Sequence, residues 1–314
     1  MSSRPSNKKK EKSGVKKFNL FNKSSSLSTV RLAIPNKGRI AEPIMELVEK
    51  SGLHLPESGG ERRLITKTHD PHVELLFARP IDIPEYVAIG AADIGITGHD
   101  MVAERGSDVT ELLDLHIGQA KLVLAVREDS DITSPQQLNN ANVATEFPKI
   151  TKSFFKKQGI DVNVVLVSGA CEATPHLGIA DAIVDLSSSG NTLKINRLRV
   201  LTEVLETSTY LIANKSSLKT KKEKIDEILL AFESVVRARG QCYLMMNVKR
   251  SSLEAIKKLL PGLSGPTIMK VASKEDLVAV HAVVDEIRVY SLINALKRAG
   301  AKDILVMSIQ RMIR

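Results

Sequence analysis

After residue 28, hydrophobic positions recur in two alternating rhythms. Short runs rich in Val, Ile, Leu and Ala at 30–34, 73–78, 93–97, 121–126, 142–145, 162–167 and 182–186 read as strands. Between them apolar residues return at helical spacing: Ile40, Ile44, Leu47 and Val48 predict a helix that Gly52 ends, and further helices are expected at 84–89 and 148–158. This alternation predicts α/β units with largely parallel sheets. After the charged stretch 219–224 the pattern changes. Ile225, Ile228, Leu229, Phe232, Val235 and Val236 make one apolar face of a long helix. Strand 243–248, helix 252–260, strands 267–272 and 277–284, helix 287–299 and strand 303–309 are expected beyond it. That order, βαββαβ, is the ferredoxin-like split unit, and a domain boundary is expected near residue 216.

Composition narrows the class. A chain of 314 residues fits two or three compact domains, each able to bury its own core. Hydrophobic residues make up 43% of it, yet no run approaches the roughly 20 apolar residues that span a bilayer, so no membrane partner is expected. Cys171 and Cys242 stand far apart, which argues against a disulfide framework or a zinc site and suits a reducing cytoplasm. The net charge of +9 invites a nucleic-acid reading. However, residues 1–28 hold Arg4, Lys8, Lys9, Lys10, Lys12, Lys16, Lys17 and Lys23 against Glu11, a net of +7, which leaves +2 for the rest. The basicity belongs to a Ser/Lys/Asn leader whose composition predicts disorder and which lacks the apolar core of a secretory signal. Nucleic acid is therefore not an expected partner.

The stretch Asp181 to Leu193 is the richest in candidate chemistry. An apolar strand runs into Ser187, Ser188, Ser189, Gly190, Asn191 and Thr192. Small residues let backbone N–H groups converge, hydroxyls add donors, and a helix start after the loop attracts an anion, so a phosphate fits there. An ordinary Ser/Gly turn is the alternative. Asp185 stands at the carboxyl end of the strand, where α/β sheets bind ligands and a carboxylate can accept hydrogen bonds from ribose hydroxyls; Asp181 reads as a strand-entry residue. A second loop, Pro35-Asn-Lys-Gly-Arg39, places Lys37 and Arg39 around a flexible glycine, suited to a polyphosphate or simply to water. Arg79 closes a buried strand, ahead of a helix capped at Asp82. Asp93, in the glycine-bearing segment 93–100, and Glu172 are further pocket candidates. His99 and His176 lack partners at metal-ligand spacing and read as structural. Neither a Gly-x-Ser-x-Gly nucleophile motif nor a P-loop occurs.

Taken in order, these segments resemble the ATP phosphoribosyltransferases that open histidine biosynthesis. The likeness rests on Ala33-Ile-Pro-Asn-Lys-Gly-Arg39, Arg79-Pro-Ile-Asp-Ile-Pro84, Ala92-Asp-Ile-Gly-Ile-Thr-Gly98, Gly169 to Pro175 and Asp181 to Leu193. It continues through Arg237 to Met246, Leu260-Pro-Gly262, Gly265-Pro-Thr267 and Gly300-Ala-Lys-Asp-Ile-Leu305, the region of the long form's regulatory domain. Ser187-Ser-Ser189 departs from the commoner Val-Ser-Thr but keeps hydroxyl donors. The resemblance implies two periplasmic-binding-protein-like lobes, residues 29–120 with 198–215 and residues 121–197, plus a ferredoxin-like regulatory domain at 217–314. It implies displacement of pyrophosphate from phosphoribosyl pyrophosphate by N1 of ATP, with inversion, aided by Mg2+ carried mainly by the pyrophosphate. Asp185 to Thr192 would bind the phosphoribosyl part; Lys37, Arg39 and Arg79, with Asp93 and Glu172, would bind ATP or pyrophosphate; and Lys37, Arg39 and Asp185 would act in catalysis. Histidine would inhibit, with Asn247 and Thr267 as contacts, and the enzyme would be a homo-oligomer between dimer and hexamer. A two-lobed binding protein without turnover, or a silent regulatory paralogue, is the competing reading.

Overall fold

The computed structural model describes residues 29–56, 64–260, 265–272 and 275–313; the basic leader and the Pro261-Gly262 pair lie outside the described residues. The first lobe is built on β1 (Val30–Pro35), β2 (Ile65–Lys67), β3 (Val73–Ala78), β4 (Ile94–Gly98) and β5 (Thr110–Asp114), joined by β11 (Thr209–Ala213) in the order β2-β3-β1-β4-β11-β5. β3, β1 and β4 are parallel, whereas β11 runs antiparallel to both β4 and β5. Leu32, Ala33 and Ile34 are fully buried because the central strand is covered on both faces. One face packs on α1 (Ala41–Lys50) through Ile44, Leu47 and Val48, and the other on α2 (Ile83–Ala88) through Ile83 and Val87. α3 (His99–Arg105) follows β4 directly.

The second lobe is contiguous in sequence. β6 (Ala120–Arg127), β7 (Asn142–Thr145), β8 (Asn163–Leu166), β9 (Ala182–Ser187) and β10 (Leu198–Thr207) form the order β10-β6-β9-β7-β8, with α4 (Pro148–Lys157) and α5 (Asn191–Ile195) after β7 and β9. β8, β7 and β9 pair in parallel, and β6 runs antiparallel to both of its neighbours, β9 and β10. The chain thus crosses between the lobes twice, after β5 and after β10, which is the two-strand hinge of periplasmic-binding-protein-like folds.

Two expected boundaries move. The returning segment 198–215 is divided: β10 completes the second lobe's sheet through eight register partners on β6, and only β11 re-enters the first lobe. The segment beyond residue 216 is also divided. After α6 (Ser217–Thr220), α7 (Lys222–Ala238) buries Ile225, Ile228, Phe232 and Val235 in one cluster with Val30, Leu32, Ile44 and Leu47. The amphipathic face read from the sequence is real, but its partner is the first lobe. The third unit therefore begins at β12 (Gln241–Lys249).

That unit consists of β12, α8 (Leu253–Leu259), β13 (Thr267–Lys270), β14 (Leu277–Asp285), α9 (Glu286–Arg298) and β15 (Lys302–Ser308), with sheet order β13-β14-β12-β15 and antiparallel pairing throughout. This is the ferredoxin-like arrangement expected from the βαββαβ order. Cys242, Leu244, Met246 and Val248 face the helices together with Val278, Val280 and Leu296. The opposite face carries Tyr243, Met245, Asn247 and His281, which the period of two along a strand sends the other way. The chain end returns to the first lobe, where Arg311 Nε donates to the Lys50 carbonyl at 2.7 Å and Met312 N to the Ser234 carbonyl at 2.8 Å. Among the described residues no helix is long and apolar enough to cross a membrane.

Candidate active site

Parallel strands deliver their carboxyl ends to one edge of a sheet. In the first lobe that edge holds the loop after β1, Arg79 after β3, and the start of α3 after β4; in the second it holds the turns after β7, β8 and β9. A cavity of about 180 Å³ joins the two edges, lined by Arg39, Pro80 and Asp100 on one side and Leu186 on the other, with Thr207 and Ser208 of the crossover between them. A second cavity of about 690 Å³ shares Thr207 and Ser208 and is bounded by Ser188, Lys121, His99 and Tyr210.

The first-lobe edge is cationic and solvent-facing. Asn36 N donates to the Ala78 carbonyl at 2.8 Å, tying the loop after β1 to the end of β3. Lys37, Arg39 and Arg79 are exposed, and among the described residues none of them forms an ion pair. Arg39 Nη2 donates to the Gly118 carbonyl at 3.0 Å, so one cation rests on the hinge. Gly118 has φ +63, and a Cβ there would stand 2.6 Å from Ile40 Cγ2; glycine alone allows this approach. Asp82 occupies the N-cap position of α2 without a side-chain capping bond, and its carboxylate pairs with Arg105 at 2.9 Å.

The second-lobe edge is acidic and partly buried. β9 carries Asp185 to the rim, where Oδ1 accepts the Leu186 N–H at 2.7 Å. Burial, reinforced by the nearby charges of Glu172 and Glu146, pushes the Asp185 carboxyl up to about 6 despite that bond. Ser187, Ser188 and Ser189 follow, and Gly190, at φ +76, is the N-cap of α5. A Cβ on Gly190 would meet nothing within 4 Å, so the loop is open on that side. Asn191 N donates to Ser189 Oγ at 3.4 Å, and Asn191 and Thr192 are exposed. Glu172 sits in the short turn after β8, and Glu146, after β7, accepts the Gly169 N–H. Burial raises the Cys171 thiol far above its ordinary range, and its Sγ donates to the Ala144 carbonyl at 3.3 Å, so it is not a nucleophile.

Of the residues singled out from sequence, Lys37, Arg39 and Arg79 share one edge, and Asp185, Glu172 and the 187–192 loop share the other. Asp93 stands apart. It precedes β4, at the opposite end of the strand from the cleft, and its carboxylate accepts from Arg31 N (2.8 Å), Ser217 Oγ (2.6 Å) and Lys221 Nζ (2.8 Å). It fastens the segment entering α7 to the first lobe, which corrects its assignment to the pocket. Asp181 is a strand-entry residue, accepting Asn142 N at 2.9 Å. His99 pairs with Glu111 at 2.7 Å and His176 with the Asn196 carbonyl at 2.6 Å. Asn247 and Thr267 lie on the open face of the third sheet, but the Asn247 amide is held by Asp303 at 2.9 Å. Sequence reasoning missed Asp100, Thr207 and Ser208, which line the cleft. Asp100 Oδ1 accepts from Thr207 Oγ1 at 2.8 Å. The signal for Asp100 was the glycine-rich segment it ends; Thr207 ends β10 and Ser208 joins it to β11, two strands the hydrophobic pattern did not resolve.

Among the described residues no group of three or more His, Cys, Asp or Glu side chains could hold a metal ion. A cation held jointly by one or two carboxylates and a substrate's phosphates fits this donor set, since Mg2+ is commonly bound in that way.

A family model described as ATP phosphoribosyltransferase matches residues 79–234, and the model of that family's C-terminal domain matches residues 238–311. An ATP phosphoribosyltransferase of Methanosarcina mazei is 55% identical over 288 residues, covering 90% of this chain and 99% of the relative. One from Methanococcoides burtonii is 57% identical over 285 residues, again covering 90% and 99%. Among solved structures, a chain of the ATP phosphoribosyl transferase (HisG:HisZ) complex from Thermotoga maritima superposes with a TM-score of 0.59 at 28% identity, covering 67% of this chain and 98% of that one.

Proposed function

The chain belongs to the ATP phosphoribosyltransferase family, in the long form with a C-terminal domain, and from that premise we propose that the cleft between its lobes is where the phosphoribosyl group changes hands. The family's reaction is the first step of histidine biosynthesis: the phosphoribosyl group of phosphoribosyl pyrophosphate passes to ATP and pyrophosphate leaves. In our reading the second-lobe edge takes the sugar. Ser187, Ser188, Ser189, Gly190, Asn191 and Thr192 surround the 5-phosphate with hydroxyl and backbone donors, and Asp185 accepts the ribose hydroxyls. Lys37, Arg39 and Arg79 on the first-lobe edge neutralise the anionic groups of ATP and the departing pyrophosphate, and Glu172 completes the wall.

N1 of the adenine attacks the anomeric carbon from the face opposite the pyrophosphate. The new C–N bond forms as the C–O bond breaks, its electron pair leaves with the pyrophosphate, and the configuration inverts. Such a step needs alignment and charge stabilisation more than a strong base, which agrees with an edge of cations facing an edge of hydroxyls. Mg2+ would enter with the pyrophosphate and offset its charge; Asp185 and Glu172 are the carboxylates that would hold it.

The observation that carries this reading is the cavity bringing Arg39 of one lobe to Leu186, the neighbour of Asp185, in the other. Its test is pyrophosphate release: turnover should require both ATP and phosphoribosyl pyrophosphate. Tight binding without release would instead mark a binding protein or a silent paralogue.

We also propose regulation by histidine at the third unit, and assembly into homo-oligomers as large as hexamers. Support for the assembly comes from the open sheet face, where Met269, Leu305 and Met307 are about half exposed, an apolar area of the sort that marks interaction surfaces. The position of α7 decides how to test regulation. A chain cut near Ser216 would lose Ile225, Ile228, Phe232 and Val235 from the first lobe's core, about 6–12 kcal/mol of burial, comparable to a domain's whole stability. A chain ending at Arg239 keeps that core. It should remain active and lose inhibition by histidine, whereas equal inhibition of both forms would place the effector in the lobes. Light scattering with and without histidine checks the assembly.

A further inference from the structure

A reaction site divided between two lobes works only when the lobes hold one angle, so whatever fixes that angle governs the chemistry. Besides the two crossover strands, α3 of the first lobe and α4 of the second meet across the divide. Glu104, in α3 of the first lobe, is 8% exposed. Its carboxylate accepts the backbone N–H of Lys149 at 3.0 and 3.1 Å and that of Ile150 at 3.1 Å, both in the first turn of α4 in the second lobe. In the same contact Lys149 Nζ donates to the Arg105 carbonyl at 2.6 Å, and Met101 packs against the second lobe's core. The residue at the N-cap of α4, Phe147, makes no side-chain capping bond. The cap therefore comes from the other lobe.

We propose that Glu104 is a positioning residue for phosphoribosyl transfer, holding the second lobe's reactive edge in register with the first through the N-terminus of α4. The inference rests on the divided site described above. The first N–H groups of a helix have no partners within it and carry partial positive charge, and a carboxylate satisfies both conditions. A chain of bonds then leads to the chemistry: Phe147 N donates to Thr145 Oγ1 at 2.9 Å, and Thr145 Oγ1 donates at 2.7 Å to the carbonyl of Val184, the residue before Asp185. Moving the lobes apart would break the bonds of this carboxylate to two N–H groups and exchange them for water, so the contact resists opening.

Two variants test this in the full chain. Glu104→Gln keeps the shape but removes the charge, and Lys149→Met removes the side-chain half of the contact from an exposed position. Expected are at least a tenfold fall in kcat for Glu104→Gln and about threefold for Lys149→Met, with KM for each substrate within threefold of the parent. The second readout is the inter-lobe distance, measured by double electron resonance between spin labels on cysteines placed at Ile89 and Asp161, both exposed; the two native cysteines are buried and should stay unlabelled. The distribution should broaden in both variants. Should Glu104→Gln fail to fold, Lys149→Met decides alone. Parental kcat, or lowered kcat with an unchanged distance distribution, would overturn the proposal. Failure of the divided-site reading would appear elsewhere, as full activity in Arg39→Met and Asp185→Asn, while the distance measurement still judges Glu104 on its own.

Discussion

The two edges of the cleft solve opposite problems. On the first lobe, Lys37, Arg39 and Arg79 keep their charges in water, where an unpaired cation costs little. On the second, Asp185 is half-buried among other carboxylates, and its ionised form is disfavoured by the fold itself. One edge offers charge that is inexpensive to maintain, and the other holds a carboxylate that stays costly until a ligand satisfies it. Removing the Asp185 carboxylate should therefore lower activity while sparing or raising stability, whereas removing a first-edge cation should lower activity and leave stability where it was.

The sharpest way to break this contrast is Asp185→Asn. Turnover should fall at least 100-fold, roughly 2.7 kcal/mol or more of transition-state stabilisation, while the melting temperature at pH 8 should equal or exceed the parent's. The sign follows from linkage. The folded-state value of about 6 lies above the ordinary 3.8, so between those values the folded protein binds more protons than the unfolded chain. Stability is therefore lost as pH rises through that window, and the cost is complete above it. Asparagine removes the cost. A clear drop in melting temperature at pH 8 would make Asp185 a structural residue.

Next in size come Lys37→Met and Arg39→Met, each expected to lower kcat/KM about tenfold, near 1.4 kcal/mol, with little change in melting temperature. If either variant unfolds readily, its side chain belongs to the fold. Gly190→Ala should have a smaller effect, because the new methyl meets no atom and only the left-handed φ is strained, by about 1–2 kcal/mol. A threefold to tenfold loss of affinity for phosphoribosyl pyrophosphate by calorimetry is expected, and unchanged affinity would remove the loop from the site. The smallest effect concerns Glu172→Gln. Removing one of the charges that raise Asp185 should shift the acid limb of the kcat/KM profile, expected near pH 6, downward by a few tenths of a unit; an upward shift would contradict the assignment.

Much of this was legible in the chain because the relevant signals are local. Central strands such as 30–34 and 182–186 announce themselves as apolar runs, and the loops that follow them carry their chemistry in consecutive residues. What stayed hidden depends on partners far apart in sequence. β10 does not alternate cleanly because its pairing with β6 shifts register between Val200 and Thr202 and again between Glu203 and Leu205. α7 displayed its apolar face openly, but periodicity says only that a face is buried, never against what. Asp93 drew attention through its glycine-rich neighbours, yet which end of a strand faces a cleft is settled by topology, and its ligands Ser217 and Lys221 are more than 120 residues away.

The division of the first lobe also has a bearing on how the chain matures. Its sheet needs β11 and its core needs α7, so residues near 235 complete a cluster begun at residue 30. The second lobe, closed by β10, is encoded in one uninterrupted stretch. On a ribosome the N-terminal unit of a protein usually folds first. Here the order should invert: the second lobe can fold while the first still waits, its strands held open until α7 has left the exit tunnel. The half of the cleft proposed to bind the sugar would then form before the half that carries the exposed cations.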